Sequence, residues 1–186
     1  MRLAVFLVMF IFPAIGLSFA SDRSFPAEQS VALLNGTFPR LNTSNLEGKT
    51  LRLPEDFAGD RNLLLIAFQR EQQQNMDTWL HEMKRFELSP GFQYYELPTI
   101  DRLNPFSRWF IDRGMRRGIP DRNARSRTIT LYLDKSSFRK ALGLPDERRI
   151  YAVLVDRSGI VLWRAEGDFD EAKASSLQRA LARGDQ

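Results

Sequence analysis

From residue 37 onward, apolar and polar positions fall into recognisable periods. Residues 37–41 and 49–53 are short strand-like pieces on either side of Asn45-Leu46-Glu47-Gly48, a turn-rich link that predicts a β-hairpin. Residues 63–68 (LLLIAF) form a continuous apolar run, as expected of a strand covered on both faces. Between Gln73 and Leu88 the period becomes helical: Met76, Trp79, Leu80, Met83 and Phe86 fall three and four apart on one stripe, and Gly91 ends the segment. Residues 92–97 read as a second strand. Asn104-Pro105 is a helix start with Pro at the first helical position, and Phe106, Trp109 and Phe110 are expected to be that helix's apolar face. Residues 114–127 read as a long basic link, and 128–133 as strand again. Phe138, Ala141 and Leu142 mark a short helix closed by Gly143. Two strands, 150–155 and 160–165, flank Asp156-Arg157-Ser158-Gly159, a tight-turn sequence. A last helix is expected from Asp168, with Glu171 as an approximate capping box and Phe169, Ala172, Leu177, Ala180 and Leu181 facing inward. Alternating βα units require a mainly parallel portion of sheet, and the late hairpin requires an antiparallel edge. An α/β domain over 37–186, with a mixed sheet between helices, follows.

The N-terminus has a different character. Met1-Arg2 is a short basic start, Leu3 to Leu17 is apolar apart from Pro13 and Gly16, and Ser18-Phe19-Ala20 places small residues at −3 and −1. This is the layout of a secretory signal peptide over 1–20, with cleavage after Ala20, and its apolar stretch is short for a spanning helix. The expected location is periplasmic or secreted, with membrane contact only if that segment is retained. Residues 21–36 read as a polar tether. Asn35-Gly36-Thr37 and Asn42-Thr43-Ser44 match the N-glycosylation triplet, which matters only in a glycosylating pathway.

Composition narrows the chemistry. The 186 residues contain no cysteine and one histidine, with a net charge of +4. Disulfides, thiolate metal sites, Fe–S clusters and thiol catalysis are excluded, and His81 alone cannot build a histidine cage. No metal and no cofactor is expected. Ser-nucleophile elbows, P-loops and G-x-G-x-x-G are absent from the sequence. Of the 27 basic residues 22 are arginine. The export signal and the small net charge argue against nucleic acid.

The element order resembles the thioredoxin-like superfamily, in the version with an N-terminal β-hairpin. The most specific piece is Leu46-Glu47-Gly48-Lys49-Thr50-Leu51-Arg52-Leu53-Pro54 before the LLLIAF strand. That resemblance implies a CxxC pair five and eight positions after Phe68, where this chain has Gln73 and Met76. It also implies a proline before the final hairpin, where Ile150 stands. The fold is expected without its redox chemistry. A narrower block, Phe68-Gln69-Arg70, Met76, Trp79 and an Asp-Arg-Ser-Gly hairpin with Trp163 and Gly167, resembles a cysteine-free ATP synthase assembly factor family with a thioredoxin-like domain. The implied role is a non-catalytic assembly helper.

Two candidate sites follow. Arg70 to Asn75 occupy the loop after the central strand, the carboxyl edge at which open α/β sheets bind ligands. Arg70, Gln72 and Gln73 are its candidate contacts, although the same residues also suit a helix cap. Seven arginines between 108 and 127 include Arg116, Arg117 and Arg125. They suit either an anion- or acidic-partner surface or simple compensation of a helix dipole. The leading expectation is an exported, non-redox protein that binds a protein or peptide client through the 70–75 loop and the neighbouring arginine-rich link together, as an assembly or accessory factor for an envelope complex. The alternative is a cofactor-independent enzyme or binding protein for a small anion, using arginines and carboxylates.

Overall fold

The computed structural model describes residues 36–183. The expected signal peptide, the tether up to Asn35 and the three terminal residues lie outside the described residues.

The sheet is built on β3 (Arg61–Ala67), whose residues from Asn62 onward are all buried. β3 pairs in parallel with β4 (Phe92–Ile100), and β4 pairs in parallel with β5 (Leu131–Tyr132). On its other side β3 pairs antiparallel with β6 (Tyr151–Asp156), which turns into antiparallel β7 (Val161–Glu166). The order β5-β4-β3-β6-β7 gives the mixed sheet expected from the sequence. Because strand side chains alternate, β3 feeds two cores. Leu64 and Ile66 pack with Tyr95, Leu97, Val153 and Phe138 on one face, and Leu63 and Leu65 pack with Tyr94, Leu154, Trp79 and Leu177 on the other.

The hairpin β1 (Leu41–Ser44) and β2 (Thr50–Leu53) closes the first face, with Leu51 and Leu53 inward. Its turn is the predicted one: the Asn45 Oδ1 accepts from Glu47 N at 3.1 Å and Lys49 N at 2.9 Å, and Gly48 takes φ +86°. The first strand starts later than expected. Thr37 instead bridges Ile160, and Phe38 N donates to Gly159 O at 2.7 Å, which seats the Phe38 ring between Phe57 and Phe138.

On the second face, α1 (Gln73–Leu80) is shorter than predicted. Glu82 N bonds Trp79 O, three residues back, and a 3-10 turn follows at Met83–Arg85. The tighter winding keeps Met76, Trp79, Met83 and Phe86 all buried. The C-terminal helix, numbered α5 (Glu171–Ala182), is capped by Asp170, whose Oδ1 accepts from Lys173 N at 2.8 Å, not by Asp168. It buries Ala174, where the sequence reading had Ala172.

The largest departure lies between β4 and β5. The expected basic link is mostly helical: α2 runs Pro105–Gly118 and α3 runs Arg122–Arg127. Its arginines are good helix formers, Pro120 separates the two helices, and Asp121 caps α3 by accepting from Ala124 N at 2.8 Å. The predicted start of α2 holds, with Asn104 Oδ1 accepting from Ser107 N. Its predicted inward aromatic face does not hold, because Phe106, Trp109 and Phe110 stand 75%, 54% and 68% exposed. α4 (Lys135–Leu142) ends at Gly143 as predicted, with φ +65°.

Candidate functional site

β3 ends at Ala67, and its continuation through Phe68 and Gln69 enters a 3-10 turn, Arg70–Gln72, before α1. Gln72 holds this corner. Its Oε1 accepts from Phe68 N at 2.8 Å and Gln69 N at 3.2 Å, and its Nε2 donates to Glu147 O at 2.7 Å. Gln72 is buried, and its polar atoms are engaged within the fold, so it sets the shape of the loop.

The residue on the far side of that bond belongs to a charged cluster. The Glu147 carboxylate meets Lys135 Nζ at 2.7 Å and Arg139 Nε at 3.3 Å, and Lys135 also reaches Asp101 at 3.3 Å. The hydrogen bond to Glu147 raises the Lys135 pKa. The segment before β6, where a redox relative would bring a proline towards its thiols, is thus fastened to the loop by an amide.

At the two positions expected for thiols, the structure separates the side chains. Gln73 is exposed and donates from Nε2 to Asp77 Oδ1 at 2.9 Å, whereas Met76 is 1% exposed in the core. Asn75 reaches across to Asp168 Oδ1 at 2.6 Å. Arg70, Gln73 and Gln74 are left facing solvent.

Of the positions of the narrower resemblance, Met76, Trp79, Trp163 and Gly167 come together beneath this loop, whereas the Asp156–Gly159 turn lies at the other end of β3, where Asp156 pairs with Arg61. The Trp79 ring packs edge-on to Trp163 at 6.2 Å and Phe169 at 5.1 Å, and Trp79 Nε1 donates to Gly167 O at 2.9 Å. Met76 belongs to the same core.

The arginines of 108–127 are fastened elsewhere. Arg116 Nε donates to Leu46 O at 2.7 Å, in the hairpin turn. Arg125 pairs with Glu47 and donates to Ile119 O at 3.0 Å and Pro120 O at 2.9 Å, and Arg122 meets the same carboxylate at 3.0 Å. The Arg125 hydrogen bond holds the Glu47 carboxyl below its ordinary pKa. Arg125 therefore ties α3 to the hairpin, while Arg117 remains exposed. These contacts lie at the hairpin turn and those of Gln72 and Asn75 at the loops before β6 and α5, so the two predicted groups do not form one site.

Sequence reasoning missed the exposed side of α2. The Phe106 and Trp109 rings stack at 6.3 Å, and the Arg113 guanidinium lies 5.1 Å over Trp109. The opposite side of the helix is the one that touches the domain. Asp112 Oδ1 accepts from Tyr132 OH at 2.7 Å, Arg108 stacks on the Tyr132 ring, and Met115 Sδ accepts from Thr130. A groove of about 380 Å³ between this side, β1 and β5 is lined by Arg108, Asp112, Thr43 and Tyr132. The available signal was aromatic residues at i, i+3 and i+4 with arginine at i+7 on the same stripe.

No family model and no curated protein matches this chain. Solved structures do, at low identity. The thioredoxin domain of a thiol-disulfide oxidoreductase from Bacteroides vulgatus is 14% identical with a TM-score of 0.51, covering 80% of this chain and 97% of that one. A structure from Aquifex aeolicus described as an electron transport protein is 12% identical with a TM-score of 0.58, over 82% of this chain and 99% of the other. BsSco, of the Sco family of cytochrome c oxidase assembly proteins, is 15% identical with a TM-score of 0.53, over 80% and 95%. The fold is thioredoxin-like, and the chain that adopts it has no cysteine.

Proposed function

We propose that this chain is an exported accessory or assembly factor that binds a protein or peptide client through the 70–75 loop. A thioredoxin-like fold without a thiol is a scaffold without redox turnover. The observation that carries the reading is the loop itself. Gln72 fixes the backbone with three hydrogen bonds, while Arg70, Gln73 and Gln74 project from the carboxyl edge of the central strand. A rigid backbone with adaptable amide and guanidinium groups binds at low ordering cost, and such groups match peptide carbonyls and carboxylates. The resemblance to the cysteine-free assembly factor family supports the same role. So does the fold shared with BsSco, whose own family assembles cytochrome c oxidase. The signal-like segment supports export, with a mature N-terminus at Ser21.

Site-specific photo-crosslinking in the producing cells tests the reading. A photoreactive residue at Gln73 is expected to give a discrete adduct that Arg70→Glu reduces several-fold, while the same probe at exposed Arg179 on α5 gives none. No adduct at Gln73, or identical adducts at both positions, would remove the assignment.

A further inference from the structure

We propose that the exposed stripe of α2 docks on an anionic lipid bilayer. Phe106, Trp109, Phe110, Arg113 and Arg117 follow at i, i+3, i+4, i+7 and i+11, so they share one side of a 14-residue helix that buries none of its residues in the protein. Large aromatics in this state cost free energy in water and gain it in a medium that covers them.

Two observations select the occupant. The helix carries Arg108, Arg113, Arg116 and Arg117 against the single acid Asp112, and that acid lies on the other side, bonded to Tyr132. The outward stripe is therefore purely cationic and aromatic, which complements phosphate headgroups. Next, the aromatics stand exposed outside any groove, and the neighbouring groove belongs to the Arg108 and Asp112 side. A fluid phase closes around isolated projecting rings, with Trp at the water boundary and arginine stems reaching up to the phosphates. The proposal concerns a different face from the 70–75 loop and stands or falls separately.

The test uses the chain from Ser21, which keeps the whole described domain and removes the apolar run at 3–17. Trp79 is buried and Trp163 is half-buried with its Nε1 bonded to Ser176, so a change at the membrane is read from Trp109. Phosphatidylglycerol vesicles are expected to sediment the protein and shift its tryptophan emission to the blue. Phosphatidylcholine vesicles should bind at least about tenfold less, and 0.5 M salt should weaken the first interaction. Phe110→Ala, and separately Trp109→Ala read by sedimentation, should each lower partitioning about tenfold with an unchanged unfolding temperature, given the value of one buried aromatic. Arg113→Glu with Arg117→Glu should abolish it. Absence of sedimentation with phosphatidylglycerol would overturn the proposal. So would binding that survives all of these variants, or a lipid-free dimer that Trp109→Ala dissociates, which would assign the stripe to a second copy.

Discussion

Glu96 sits on β4 between Tyr95 and Leu97 and is 8% exposed. Burial pushes its pKa up to about 7 from 4.5, with nearby Arg127 opposing the shift and Asp77 adding to it. Arg127 itself lies over the Tyr94 ring, 4.4 Å from its centre. In the unfolded chain the Glu96 proton leaves near 4.5, so between that pH and about 7 the native state holds the proton more tightly and stability falls as pH rises. The loss amounts to about 3 kcal/mol when complete. Glu96→Gln is expected to raise stability at pH 8, leave it nearly unchanged at pH 4, and flatten the profile between; urea titrations at pH 4, 6 and 8 check this. Trp79 makes the opposite kind of contribution. It is fully buried and bonds Gly167 O, and Trp79→Ala should cost about 3–5 kcal/mol in the same assay.

Among the elements, the corner after β3 depends on one amide. Gln72→Ala would leave Phe68 N, Gln69 N and Glu147 O without their partner, at about 1–3 kcal/mol per buried group that water does not reach. Faster amide exchange at Phe68 and Gln69, with α5 unaffected, is the expected local signature. Gln72→Glu is expected to be no rescue, because it sets a carboxylate against the Glu147 carbonyl. These elements also show how far the sequence was legible. The LLLIAF run, the Asn45–Gly48 turn and the Asp156–Gly159 turn are local signals, and each appears in the structure where its residues place it. The role of Gln72 was not legible, because a buried clamp and an exposed contact have the same side chain, and burial comes from Glu147, far away in the chain. The aromatic stripe of α2 illustrates the same limit. Periodicity shows that a helix has an apolar side, but not whether this protein or something outside it covers that side. Residues 114–118 were misread as loop because two glycines and a following proline weigh against helix locally. The contacts of Arg116 with the hairpin turn and of Met115 with Thr130, just before β5, supply what propensity lacks.

At the scale of the molecule, one sheet carries a core on each face and a loop without thiols at the end of its central strand. The purified protein should leave dithiothreitol-driven reduction of insulin disulfides at its buffer rate, and any acceleration would contradict the non-redox reading. The substitution of Gln73 and Met76 for a thiol pair has a wider consequence. A dithiol protein alternates between two covalent forms, and a second protein must return it to the starting one. This chain has no thiol to cycle, so it needs no partner to regenerate a dithiol. Acting as the proposed client-binding factor, it would work stoichiometrically: each copy would serve one client at a time, and cellular copy number would set how many clients are attended.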